Sequence, residues 1–205
     1  MYIPNYFKVT NVDEIWDFVQ KNSFGTIVTT EQGKPIATHI PLRLIKKGDD
    51  FYITGHMAYG NPQWRTFETC EEVLIIFQGA NAYISSSWYS HENVPTWNYQ
   101  AIHMYGKASI LEKDELIEEL IQMLEKYEET RENPVLWDKL SPQLLESQLK
   151  GIVGFKIKVG EIQAAYKLSQ NRNKSDYRNI IEKLQNEGNP NSNQMAELME
   201  KRYNI

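Results

Sequence analysis

Three stretches of the chain carry side chains with the chemistry to bind a ligand. The first, TGHMAYGNPQWR from Thr54 to Arg65, leaves a run of strand character, passes Gly55 and Gly60, and reaches Asn61-Pro62. Asn is a favoured N-cap, and Pro at the next position is preset for a first helical turn. Such a start presents unpaired N–H groups and the positive end of the helix dipole, which suits a phosphate; it is equally an ordinary strand-to-helix connection. The second, YKLSQNRNKSDYR from Tyr166 to Arg178, sets Lys167, Arg172, Lys174 and Arg178 against a single acid, Asp176. Ser169, Gln170 and Asn171 add hydrogen-bonding side chains. The stretch reads either as a solvated loop and helix cap or as an anion site charged by Lys167 and Arg172. The third, SSWYSHENVPTWNY from Ser86 to Tyr99, concentrates aromatics around Pro95 with neither helical nor strand period. Trp88, Tyr89, Trp97 and Tyr99 could plug a core, wall a pocket or seal a subunit contact, since each offers a flat apolar body and most a polar tip.

Other chemistries find little support. His39, His56, His91 and His103 include no pair at i, i+4, and Cys70 has no CxxC companion, so no metal site is expected. SSSWY lacks the Gly-x-Ser-x-Gly elbow, and no Ser–His–Asp arrangement stands out. No catalytic residue is assigned.

The elements that must position these stretches follow from periodicity. NVDEIWDFVQKN predicts a short amphipathic helix with Ile15, Trp16, Phe18 and Val19 on its apolar side. FGTIVTT, IATHIPLRLI and FYITGH, separated by the turns EQGKP and KKGDD, predict an antiparallel meander. EEVLIIFQGANAYIS predicts two further strands around Gly79, and YQAIHMYGKASIL another. At least six strands before residue 112 predict a closed or nearly closed barrel. A helix from Asp114 to Tyr127 is expected to bury Leu116, Ile117, Leu120, Ile121 and Leu124 and to keep its acids outside. Ser141-Pro142 opens another helix, and IVGFKIKVGEIQAAYKLSQ returns to strand. The class is α+β, a single domain over 1–205 with a helical C-terminal extension at 170–205.

At 205 residues, with 41% apolar and 12% aromatic side chains, the chain can build a substantial core. A net charge of −5 gives no global attraction to nucleic acid. DNA binding through a local patch stays open, but the acids and bases of the last helix, Glu197, Glu200, Lys201 and Arg202, cancel. Tyr177, Ile180, Ile181, Leu184, Met195, Leu198 and Met199 read instead as docking stripes. A lone cysteine, no signal-like start and no long apolar run point to a cytoplasmic protein without membrane association.

MYIPNYF, ATHIPL, GHMAYGNPQWR, FQGANAYISSSWY, VPTWNY, IVGF and KLSQNR occur in that order from residue 1 to about 180. Together they resemble the PaiB family of FMN-binding negative transcriptional regulators. The resemblance implies a split β-barrel like that of pyridoxamine-phosphate oxidases and flavin reductases, a homodimer with FMN at the subunit interface, and repression of protease production and sporulation. It also implies cofactor-binding residues: Thr38, His39, Ile40 and Pro41 on a strand; Gly55, His56, Ala58, Asn61 and Trp64 on the following loop; Lys167, Ser169, Gln170 and Arg172 in KLSQNR. The pattern departs at Tyr59, where the family usually carries Arg. A dimeric regulator that binds FMN or a related small ligand without turnover is the favoured function. The alternative is an FMN-dependent oxidoreductase with a nicotinamide donor, in which the cofactor carries the chemistry.

Overall fold

In this computed structural model, which describes residues 1–203, local chemistry accounts for the helix starts. Helix α1, Val12–Lys21, begins where the Asn11 side chain accepts from Glu14 N, and it carries Asp13 and Glu14 in its first turn and Lys21 in its last. It buries Ile15, Phe18 and Val19. Helix α2, Lys113–Glu128, opens with a reciprocal capping box between Glu112 and Glu115. Helix α3, Pro142–Leu149, starts at the expected Ser141 cap with Pro142 in its first turn. Helices α4, Lys174–Glu187, and α5, Pro190–Tyr203, are divided by Gly188, which ends α4 at φ 69°. Among the described residues no helix is long and apolar enough to cross a membrane.

The strands are β1 (Lys8–Val9), β2 (Phe24–Glu31), β3 (Lys34–Pro41), β4 (Arg43–Lys47), β5 (Asp50–Ala58), β6 (Val73–Ile84), β7 (Thr96–Ile110) and β8 (Ile152–Lys167). Burial alternates along β2 and along most of β7, as a pleated strand with one inward face requires. The hydrogen-bonded order is β3-β2-β6-β7-β8-β5-β4, with β1 added to β8. The hairpin β2–β3 turns through Gln32 (φ 50°) and Gly33 (φ 82°), the paired positive angles of a tight two-residue turn.

Two sequence expectations are corrected. The run IATHIPLRLI is not one strand of a meander: it divides into β3 and β4, the two ends of the order, joined through Leu42 alone, whose N–H donates to Ser23 O at 2.8 Å. Gly79 does not separate two strands either, because β6 is continuous across it. A Cβ at Gly79 would lie 2.7 Å from Phe18 Cε2 and 3.1 Å from Gln100 Oε1, so this glycine makes room for neighbouring side chains and breaks nothing.

The chain divides into two compact units. One comprises Met1–Asn22, Phe77–His103 and the chain from Gln163; the other comprises Ser23–Ile76 and Met104–Ile162. The first unit, called here the terminal unit, is cored by Val19, Phe77, Ile84, Ile102 and Leu168, together with Tyr177, Ile180, Leu184, Met195 and Met199 of α4 and α5. The expected docking stripes are therefore buried, with Leu198 half-buried. The Tyr177 hydroxyl donates to Met199 O at 2.8 Å. The second, the central unit, is cored by Ile27, Leu42, Ile53, Met57, Phe67, Ile75, Met104, Phe155 and Ile157, with Phe67 and Phe155 edge to face at 5.3 Å.

Helix α2 departs from its expected pattern. Leu116 is buried, but Ile117, Leu120, Ile121 and Leu124 are only half-buried, and the acid Glu119 is buried. The expectation that every acid of this helix faces out fails because Thr54 and Arg43 supply Glu119 with polar partners inside.

At Gly106 of β7 the facing backbone leaves no room for a side chain: a Cβ would lie 2.1 Å from the Lys158 carbonyl oxygen of β8. Gly106→Ala is therefore expected to destabilise the protein by about 3 kcal/mol, the upper range for forced overpacking. Urea unfolding would measure it; a midpoint unchanged from wild type would refute this view of the β7–β8 contact.

Candidate functional site

The central unit gathers its share of the expected residues around one amide. Gln63 lies in a short 3-10 turn, Pro62–Glu68, whose Asn61 cap accepts from Gln63 N at 3.0 Å. The Gln63 side chain is buried, and its Nε2 lies within hydrogen-bonding distance of Ile27 O (3.1 Å), Thr29 Oγ1 (3.2 Å) and Ile36 O (3.2 Å). Its Oε1 accepts from the Thr38 hydroxyl, which in turn accepts from Asn61 Nδ2 at 2.9 Å. Thr66 Oγ1 completes the knot on Thr29 Oγ1 at 2.8 Å. Strand β3 and the turn after β5 are thus tied together, with Thr38 and Asn61 spending their polar atoms on the framework.

The remaining residues of that set occupy distinct settings. His39 is exposed and its Nδ1 lies 2.8 Å from Thr26 Oγ1, while Ile40 is buried. A Cβ on Gly55 would meet Pro41 O at 3.2 Å and Leu42 Cδ2 at 3.0 Å, so the end of β3 lies directly against β5. Ala58 is exposed at the end of β5. His56, opposite Gly154 of β8, has a buried Nδ1 with no hydrogen-bond partner among the described residues. Burial holds its pKa below the usual histidine value. Trp64 Nε1 donates to Tyr59 O at 3.0 Å, and the Arg65 guanidinium lies 4.4 Å over the Trp64 ring and 5.8 Å from that of Tyr59. Arg65 thus brings a cation to the loop that carries Tyr59.

The terminal unit holds KLSQNR. Ser169 adopts φ 60° and is buried, with Asn98 Nδ2 donating to its hydroxyl at 3.0 Å. Gln170 folds back, accepting from Leu168 N at 2.7 Å and donating to Tyr166 O at 2.5 Å. Lys167 donates to the Thr96 hydroxyl, and burial, aided by the nearby Arg172, lowers its pKa. Arg172 lies 4.9 Å from the Tyr89 ring, whose buried hydroxyl has no hydrogen-bond partner among the described residues. Of the aromatic stretch, Tyr89 is buried, Trp88 and Tyr99 are half-buried, and Trp97 is 54% exposed, edge to face with exposed Tyr83 at 5.8 Å. Asp176 of α4 accepts from Ser90 N at 2.8 Å, and Asn179 donates to Trp88 O at 2.6 Å, so α4 fixes this stretch. Sequence reasoning missed Gln63, Asn98 and Asp176 as anchors, since a single buried polar residue leaves no periodic signal. Among the described residues no cluster of three or more His, Cys, Asp or Glu side chains could hold a metal ion.

A family model described as "Putative FMN-binding domain" matches residues 1–161. The chain is 80% identical over 200 residues to the protease synthase and sporulation protein PAI 2 of Bacillus subtilis (strain 168), covering 98% of this chain and 97% of that one. The chain belongs to this FMN-binding-domain family. Among solved structures it resembles the flavocytochrome Anf3 of Azotobacter vinelandii, with TM-score 0.63 and 13% identity over 86% of this chain and 78% of that one. The FAD and heme binding protein of Mycobacterium smegmatis is similar at TM-score 0.58 and 13% identity over 78% and 73% of the two chains. At such identity these likenesses establish the fold alone: α+β on an antiparallel sheet, of the split-barrel class expected from the motifs.

Two outcomes are expected from this geometry. Gln63→Ala should cost about 3 kcal/mol, because it removes a buried amide that bridges β2, β3 and the turn after β5 and leaves a cavity in its place; an unchanged urea midpoint would refute the role given to this amide. His56 has a folded pKa below that of the unfolded chain, so its contribution to stability is fully present above the unfolded value near 6.5 and is lost as pH falls through the folded value. Melting temperatures should therefore fall on acidification from pH about 7.5 to about 5.5, and less steeply in His56→Gln. Parallel curves for the two proteins would refute the assignment.

Proposed function

We propose that the protein is a dimeric FMN-binding regulator of the PAI 2 type, a negative regulator of protease production and sporulation that senses or binds a small ligand. The observation that carries this reading is the full-length 80% identity to PAI 2 together with the match to an FMN-binding domain. The local chemistry fits a flavin with an anionic tail. His56 Nδ1 and the Tyr89 hydroxyl are buried polar atoms without hydrogen-bond partners among the described residues, and such atoms are costly unless something meets them. In the central unit, the backbone of the β3 end at Thr38–Pro41 and of the loop Gly55–Asn61, held in place by the Thr38 and Asn61 side chains and flanked by Trp64, would hold the phosphate end, Arg65 adding positive charge. Lys167, Ser169, Gln170 and Arg172 of the terminal unit would contribute polar contacts from either subunit, as the PaiB resemblance implies. A bound flavin would supply redox chemistry, while the chain's own residues bind and orient it.

Dimerisation is supported by the exposed Tyr83 and Trp97 pair, aromatic surface of the kind that seals subunit contacts. Direct DNA contact by the tail gains nothing from α4 and α5, whose apolar residues are committed to the terminal unit's core.

Protein mixed with FMN and passed through a sizing column is expected to elute as a dimer that keeps equimolar flavin absorbance, without steady oxidation of NADH or NADPH. A colourless monomer would overturn the reading, whereas sustained nicotinamide oxidation would replace it with the oxidoreductase alternative.

A further inference from the structure

The central unit contains a cavity of about 350 Å³ whose polar end is formed by Arg43 of β4, Thr54 of β5 and Glu119 of α2. Ile45, Tyr52 and Leu111 line it as well, giving apolar walls. Glu119 is an unusual side chain to find there, only 4% exposed. Its Oε2 accepts from Thr54 Oγ1 at 2.7 Å. Its Oε1 lies 3.3 Å from Arg43 Nε, yet neither atom has a hydrogen-bond partner among the described residues. The two charges are close enough to neutralise one another but are not aligned to bond. A buried donor and a buried acceptor are thus left side by side, each desolvated and each costly in that state. Away from this end Lys156 Nζ lies 2.5 Å from Glu115 Oε1, and Lys46, Lys47 and Glu118 also line the cavity.

This arrangement selects a ligand by chemistry. Arg43 and Glu119 cancel, so an ion entering the polar end would bury an uncompensated charge. A neutral molecule carrying a C=O beside an N–H would satisfy both orphan atoms, the carbonyl accepting from Arg43 Nε–H and the N–H donating to Glu119 Oε1. The apolar walls favour a flat ring, and the volume is that of a small-ligand site. We propose that this cavity binds a small neutral heterocycle through a lactam or imide edge, read by Arg43 and Glu119. The proposal rests on the reading that the protein senses or binds a small ligand, and it names the chemical class and the pocket. Two sources present this edge: a free pyrimidine-type compound, and the pyrimidine end of a flavin ring.

Calorimetric titrations with uracil, lumiflavin and N3-methyl-lumiflavin separate the sources. The double variant Arg43→Met/Glu119→Met removes both charges while keeping bulk, a replacement buried ion pairs often tolerate. If the ligand is free, uracil is expected to bind saturably and at least tenfold more weakly to the variant. If it is the flavin ring, uracil fails, whereas lumiflavin binds, is weakened at least tenfold in the variant, and loses the same factor on N3 methylation in the wild type. Ile45→Trp, which fills the cavity and leaves the ion pair in place, is expected to abolish whichever binding is found and keeps the test decisive should the double variant fail to fold. The proposal is overturned if wild type binds neither uracil nor lumiflavin, or if the folded variants bind as wild type does. FMN uptake measured alongside distinguishes the two readings: uptake unchanged in the variants, with no uracil binding, sinks only this inference, and uracil binding without FMN uptake sinks only the flavin assignment.

Discussion

The central unit depends on the burial of one primary amide. Gln63 meets carbonyls on β2 and β3 and hydroxyls on both strands, so a single side chain adds polar contacts across the β2–β3 ladder. An amide removed from water must have its donors and acceptor paired or it costs more than it contributes. Because the short turn that carries Gln63 starts at an Asn-Pro cap, its orientation is set by local chemistry before any packing occurs. The same side chain binds the turn after β5 to the end of β3, which is where the PaiB resemblance puts the phosphate. Thr38 and Asn61 therefore work as framework, and the charge near this loop comes from Arg65 stacked on Trp64.

The terminal unit follows a parallel logic with different parts. Asp176, buried in the first turn of α4, accepts from Ser90 N and from Asn173 Nδ2 at 2.7 Å, and these bonds hold its carboxyl below the usual range. The aromatic stretch that looked irregular in sequence is so only in part: its last residues, 96–99, already belong to β7, while Trp88 and Ser90 are pinned by a helix that arrives about ninety residues later. Its side chains divide between roles: Tyr89 is internal and stacked by Arg172, while Trp97 stays largely exposed. The choice between core plug and contact surface is thus not made for the stretch as a whole.

Glu119 shows how a helix can bury a charge against its own pattern. Spacing alone assigns it to the wet face of α2, since acids next to an apolar stripe are normally solvated. Thr54 and Arg43, sixty-odd and seventy-odd positions away, reverse that assignment. Desolvation raises its carboxyl pKa, with the Thr54 hydrogen bond and the Arg43 charge pulling the other way. What remains is a buried acid in balance with a buried base.

Taken alone, the sequence determined the local events: the Asn11, Asn61 and Ser141 caps, the turns at Gly33 and Gly48, the strand run of β8 and the two tail helices with their apolar stripes. These depend on residues a few positions apart, and nearby side chains and backbone are enough to decide them. Ordered motifs along the chain carried the family, and with it the fold class. Tertiary structure alone decided that Gly79 accommodates Phe18 within an unbroken strand, that β3 and β4 lie at opposite ends of the strand order, and that Gln63 and Glu119 are interior. Each of those outcomes turns on a partner distant in the chain, and no period or spacing in one sequence records which distant partner a side chain will meet.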